Sequence, residues 1–235
     1  MNQDELNEII KNHEKWVIGI HGGKKADLQG ADLHKADFQG AKLGRIDLRG
    51  AFLERANFQD TVLCEGCFKG ASLCEANFQG ADLSYSNFQG ADLEKAILIH
   101  ASLQEAKFHG ANLMRANLKY AHCYGLELQG ANLQLANLQG INLELVDLSM
   151  VSLQEADLSG INNYQNDREV FLELCRRVDL SRQEYSIFGE IIIHEEWCWK
   201  EIAENIGKDF LTILEKIHKI GFGEYNRRYQ KELGE

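Results

Sequence analysis

One large apolar residue returns every five positions from Leu28 to Leu158. The series opens Leu28, Leu33, Phe38, Leu43, Leu48, Leu53 and holds for 27 consecutive centres: 20 Leu, 6 Phe and Cys123. Two residues before each centre sits a small or aliphatic residue, usually Ala, and the residue between is often Asp or Asn. The unit reads Ala-(Asp/Asn)-(Leu/Phe)-X-X. Neither regular element alone accommodates it. On an α-helix five residues turn about 500°, so successive centres step about 140° round the axis and form no stripe. On one continuous strand an odd spacing sends alternate centres to opposite faces. Within a unit, however, Ala and the centre are two apart and share one face of an extended chain. A short extended piece with both pointing inward, followed by a corner, resolves the conflict. Repeated, it winds a solenoid.

Glycine counts the corners. It fills 10 of the 14 positions two after a centre whose numbers end in zero, such as Gly30, Gly40, Gly50 and Gly70. Among the 13 that end in five, only Gly125 is glycine. Phe58, Phe68, Phe78 and Phe88 keep the same beat of ten. Ten is half of a four-sided, 20-residue coil and does not divide a three-sided one of 15. Four sides stack Phe38, Phe58 and Phe78 on one face and Phe68, Phe88 and Phe108 on the opposite face.

These residues resemble the pentapeptide-repeat proteins over 26–160. The resemblance implies an all-β solenoid, a right-handed quadrilateral β-helix, with the centre and Ala inward and the other three positions outward. Twenty-seven units give about 6.75 coils and, at a strand spacing of ~4.8 Å, a rod about 32 Å long. Such a rod is held by neighbour contacts, so both ends need caps.

The ends supply candidates. In 1–25, Leu6, Ile9, Ile10, His13, Trp16, Val17 and Ile20 recur at helical spacing, with Gly22 and Gly23 as the stop; the reading is an N-terminal capping helix. After Gly160 the repeat ends, Asn163 standing where the next centre would fall. In 161–235, Asp167 caps a predicted helix running to about Val178, and Ser181 caps a second running to about Ile206. A third spans about Lys208 to Ile220, and the charged stretch from Phe222 offers a fourth. The segment reads as a C-terminal α-helical subdomain. Trp197, Trp199, Phe210 and Ile213 exceed what a small cap needs and are candidate association residues for a homodimer.

Catalytic chemistry does not assemble. His194-Glu195-Glu196-Trp197-Cys198 departs from the helical zinc motif at its last ligand, and no third ligand stands at suitable spacing. Cys64-Glu65-Gly66-Cys67 is formally a CxxC, but no second pair completes a metal site, and both sulfurs point outward across a corner. His34, His100, His109 and His122 fall in different outward columns, with no nucleophile–base set among them. The glycines follow the corners rather than a phosphate loop. The reading is a non-enzyme with no catalytic residues, no metal and no cofactor.

Charge narrows the partners. The chain has 25 Lys+Arg, 36 Asp+Glu and a formal net charge of −11, which argues against binding nucleic acid or an anionic membrane by bulk charge. Apolar runs are too short to span a bilayer and no signal-like start is present. With six Cys read as free thiols, a cytoplasmic location is expected.

Two binding readings follow. Solenoids act as partner platforms, and Ile97, Ile99, His100 and Tyr120 form an apolar and aromatic outward group fit for a protein partner. Leu135, Leu145 and Met150 are outward too and could seat the C-terminal helices. The resemblance implies the other reading, since some pentapeptide-repeat proteins mimic duplex DNA and bind DNA gyrase or topoisomerase IV. Asp27, Asp47 and Asp147 share one outward column suited to that role. Against it, this repeat has no central interruption and no inserted loops, and its C-terminal segment is long.

Overall fold

The computed structural model describes residues 1–148, 150–162 and Ile213, Leu214, Lys216 and Ile217. The chain forms two compact units, Met1–Asn162 and Asn163–Glu235. In the first, every bridge is parallel and joins residues twenty apart, from Asp27↔Asp47 to Asn142↔Asn162. Four faces therefore make one coil, each contributing one bridged residue. All 27 expected centres are buried.

Each corner is closed by the N–H of the next unit's first residue, as when Ala31 N–H donates to Leu28 O at 3.2 Å. The third residue of that turn always has positive φ, between +52° and +71° from Gly30 to Gly160. Positive φ at that place alone is the signature of a type II turn, which explains the glycines. Sixteen other corners hold a non-glycine residue in this conformation, among them Lys35, Glu75, His100 and Tyr120. Coil-to-coil hydrogen bonds and buried neighbours hold them there.

Phenylalanines fill the interior as the spacing predicts. Phe38–Phe58 and Phe58–Phe78 stack at 4.6 and 4.8 Å, and Phe68–Phe88 and Phe88–Phe108 at 4.5 and 4.6 Å. Phe58 and Phe68 from the two columns meet edge to face at 6.0 Å. These separations match the spacing of neighbouring strands, so each ring sits on the ring one coil away.

Helix α1, Gln3–Val17, opens with a capping box in which Asn2 and Glu5 bond each other's backbone N–H. Leu6 and His13 lie on its buried face. It stops earlier than the glycine pair suggested: Gly19, at φ +72°, turns the chain, and Ile20 N–H donates to Lys15 O. Gly23 serves another purpose, because a Cβ there would lie 2.3 Å from the Trp16 nitrogen. The expected face also ends sooner, with Val17 and Ile20 exposed.

The side chains of α1 stand in for a missing coil. Within the rod Asn57 N–H donates to Ala36 O and Val62 N–H to Ala41 O. On the first coil the matching donors have no coil before them. Asp37 N–H donates instead to Gln3 Oε1 and Lys42 N–H to Glu14 Oε1, while Gln3 Nε2 donates to Asp37 O. His13 Nδ1 accepts from Ala26 N–H at 2.9 Å, so Nε2 carries the proton and donates to Gly44 O at 3.0 Å. Burial holds the His13 imidazole below its ordinary titration range.

The repeat ladder also runs past Gly160. Ile161 is buried and Asn162 bridges Asn142, because these two residues fit the first two positions of a further unit. Among the four described residues of the second unit, all are helical and fall within the third predicted C-terminal helix. No helix among the described residues is long and apolar enough to cross a membrane.

Candidate interaction surfaces

Where Asp or Asn stands before a centre, the side chain has a structural use that the spacing did not reveal. Its Oδ1 accepts the N–H two residues on, as in Asp27–Gln29, Asp37–Gln39, Asn77–Gln79 and Asn137–Gln139. This is an Asx turn, which sets the chain into the corner. Neighbouring amides then bond up the face, with Asn57 Nδ2 donating to Asp37 Oδ1 and Asn112 Nδ2 to Asp92 Oδ1. Much of the rod's exterior is therefore a self-satisfied polar ladder.

That use changes the meaning of the acidic column. Asp27, Asp47 and Asp147 do stack on one face, but Cys67, Asn87, Lys107 and Glu127 come between Asp47 and Asp147. The Arg49 guanidinium donates from both Nε and Nη2 to the Asp47 carboxylate and lowers its titration. Gln129 Nε2 donates to Asp147 Oδ2 at 2.6 Å, and Lys107 lies 3.9 Å from Glu127. The column offers separated, partnered carboxylates instead of a continuous anionic stripe. The corner ridge of Lys35, Arg55, Glu75, Lys95 and Arg115 is similarly offset, through Arg55–Glu75 at 2.8 Å and Lys95–Glu94 at 3.3 Å.

The apolar group is more coherent. Ile97, His100 and Tyr120 are exposed and Ile99 is half-buried. The His100 and Tyr120 rings stack at 5.4 Å with 21° between their planes. Tyr120 also lies over the next corner, where a Cβ on Gly140 would come 2.4 Å from its ring. Lys119 Nζ sits 4.9 Å from its centroid. Tyr120 is thus pinned on three sides while 43% exposed.

A cleft of about 310 Å³ opens beside this corner, lined by His100, Tyr120, His122, Tyr124, Gly140 and Asn142 among others. The bridges on this face include Lys42↔Val62, Ser102↔His122 and Asn142↔Asn162. Cys123, the one centre that is neither Leu nor Phe, lies in the cleft wall. Ile97 and Ile99 do not line the cleft; they belong to the adjoining face and turn. Sequence reasoning missed His122 and Tyr124 as neighbours of Tyr120. Their positions twenty and more residues from His100 carried the signal, since the 20-residue coil places them one coil on.

Cys64, Cys67, Cys74 and Cys123 are free thiols. Burial raises the titration of Cys64 and Cys74, and pushes Cys123 up to about 12. No metal-holding group of three His, Cys, Asp or Glu occurs among the described residues. Leu135, Leu145 and Met150 occupy exposed corners. Ile213 is helical and fully buried. Trp197, Trp199, Phe210 and the His194–Cys198 motif lie outside the described residues.

The family model described as Pentapeptide repeats matches in overlapping segments from 24–50 through 127–162. Among solved structures, similarity extends to HetL, a pentapeptide repeat protein involved in heterocyst differentiation regulation from the cyanobacterium Nostoc sp. strain PCC 7120. Identity is 34%, over 59% of this chain and 70% of that one, with a TM-score of 0.25. Rfr23 from the cyanobacterium Cyanothece 51142 is 32% identical over 50% of this chain and 59% of its own, at a TM-score of 0.25. QnrB1, a plasmid-mediated fluoroquinolone resistance protein, is 23% identical over 61% and 84%, at 0.29. No curated protein matches the chain.

Proposed function

Since the chain belongs to the pentapeptide-repeat family, whose members form right-handed quadrilateral β-helices and are generally non-catalytic, we propose that it is a protein–protein interaction scaffold. Its docking surface is the corner and adjoining faces around Ile97, Ile99, His100 and Tyr120. One observation carries this reading. Successive coils place exposed aliphatic and aromatic side chains side by side at this corner, with Tyr120 fixed in advance by the stacked His100 ring and the close approach of Gly140. A preordered aromatic anchor loses little freedom on binding, which is what interface hot spots exploit. In this reading about 6.75 coils form the platform and α1 caps its first coil. The protein acts in the cytoplasm, where its thiols stay reduced.

The test is affinity capture from the native host's lysate at low and high salt. A protein retained by the wild-type chain and lost with the Ile97→Asp/Ile99→Asp pair supports the scaffold. Gyrase or topoisomerase IV subunits retained at low salt, and lost with the Asp27→Lys/Asp47→Lys/Asp147→Lys triple variant, would replace it with DNA mimicry. Self-association through Trp197, Trp199 and Phe210 is a separate proposal, from which the burial of Ile213 removes that residue, and it is tested by sedimentation of the full chain against one ending at Asn162.

A further inference from the structure

The repeat is acidic, yet one patch of it has no carboxylate. None of the residues in the coil segments 97–102, 117–122 and 137–142 is Asp or Glu, although 26–160 carries 17 acids against 10 bases. These three segments stack along one corner and form the docking surface and one wall of the cleft. The patch has its own cation: Lys119 lies over the Tyr120 ring, and no carboxylate pairs with it among the described residues. His100 and His122 add imidazole donors, and Tyr120 and Tyr124 add hydroxyls at the cleft. Asp82 and Asp157 lie on the same faces one coil beyond the patch, and Glu105 and Glu144 flank Tyr124 across the next corner. An acidic ligand is repelled by that border and accepted within it, which fixes where it can sit.

We propose that this patch binds an extended acidic segment of a partner protein. A carboxylate of the segment meets Lys119 beside the Tyr120 ring, next to the cleft that holds the imidazoles, while an apolar side chain of the same segment packs on Ile97 and Ile99. The inference rests on the scaffold reading and gives its partner a chemistry. A cleft of about 310 Å³ takes a few side chains, not a folded element. In an extended chain residues two apart share a face, so an acidic and an apolar residue at i and i+2 meet a surface that is polar at the cleft and aliphatic beside it.

The probes are three fluorescein-labelled twelve-residue peptides, repeats of Glu-Ser-Leu-Ser, Gln-Ser-Leu-Ser and Lys-Ser-Leu-Ser (the Glu–Leu, Gln–Leu and Lys–Leu peptides), titrated with the full chain and read by fluorescence anisotropy. The Glu–Leu peptide should bind tightest and weaken as salt is raised. Lys119→Glu should weaken it about tenfold or more while leaving the melting curve unchanged, because Lys119 packs in no core. Equal or tighter binding of the Lys–Leu peptide overturns the inference. So does a Glu–Leu affinity indifferent to Lys119→Glu. If lysate capture depends on Ile97 and Ile99 but Glu–Leu binds no better than Gln–Leu, the scaffold stands and the acidic partner falls. If neither capture nor peptide binding responds to the Ile97/Ile99 pair, both fall together.

Discussion

His13 shows how much one side chain can decide in a rod. Its ring is buried and its two nitrogens are committed in opposite senses, one accepting from Ala26 N–H and the other facing Gly44 O. A second ring proton would point at an N–H donor. The folded pKa is lowered below 6.5, chiefly by desolvation, which outweighs the hydrogen bond to Gly44; Lys25 adds to the lowering and Glu14 opposes it. The sign follows from linkage. Above about 6.5 the ring is neutral whether α1 is docked or not, and the full stabilisation is present. As pH falls below that value the undocked form takes up the proton first, and docking weakens until the folded pKa is reached. Hydrogen-exchange protection factors over 1–25, taken relative to the intrinsic exchange rate at each pH, should therefore fall as pH drops below about 6.5 in the wild type. His13→Ala should lose that pH dependence and cost about 2 kcal/mol, since it strands a buried N–H and a carbonyl. A flat wild-type profile would mean that His13 does not hold the helix. Cysteine reactivity belongs to the same scale. Cys123 is fully buried with its thiol pushed up to about 12, so mass spectrometry after native alkylation should find it unmodified while the half-buried Cys64, Cys67 and Cys74 react.

At the level of the turn and the stack, glycine positions that look equivalent in the sequence are not equivalent in space. Gly110 and Gly140 both have positive φ, +63° and +71°. An added Cβ meets nothing within 4 Å at Gly110 but collides with Tyr120 at Gly140. Gly110→Ala should cost about 1 kcal/mol from the left-handed backbone alone. Gly140→Ala should cost more, and it should also displace Tyr120 and weaken whatever docks there. Denaturant curves check the first claim and near-ultraviolet dichroism of the tyrosines the second. The Phe columns allow a similar comparison: Phe58 touches Phe38, Phe68 and Phe78, whereas Phe38 stacks only on Phe58. Phe58→Ala should cost about 3–5 kcal/mol and Phe38→Ala less. The five-residue period made these columns legible because it fixes which side chains are inward and which stack. It could not show that the Asx residues spend an oxygen on the turn, since that depends on corner geometry. Nor could it place Tyr124 and His122 at one cleft until the coil length was secure. The stop at Gly19 was hidden because three further glycine and polar signals follow it closely, and only the close approach of Gly23 to Trp16 separates their roles.

The molecule as a whole must solve the problem of an open sheet edge. A β-solenoid ends in a coil with unpaired N–H and C=O groups, a template for any other edge. Here Gln3, His13 and Glu14 satisfy those groups with side-chain atoms in place of a preceding coil. A helix can do this because its side chains reach the edge while its own backbone bonds stay internal, so the cap presents no new edge. Removing residues 1–25 should then do two things. It should lower the protection of the first coils most, with the effect fading along the rod, because each coil contacts only its neighbours. It should also create a concentration-dependent oligomer through the bared edge, visible by light scattering and lost when proline is introduced at Lys42, whose N–H is one of the bared donors. Gln3→Ala/Glu14→Ala in the full chain separates bond loss from loss of the helix. If those two bonds are what close the edge, the double variant should shift hydrogen exchange at Asp37 and Lys42 without releasing Leu6 from its burial. If truncation leaves a monomer with unchanged protection in 26–60, the edge is closed by something other than these side chains, and α1 is an attachment, not a cap.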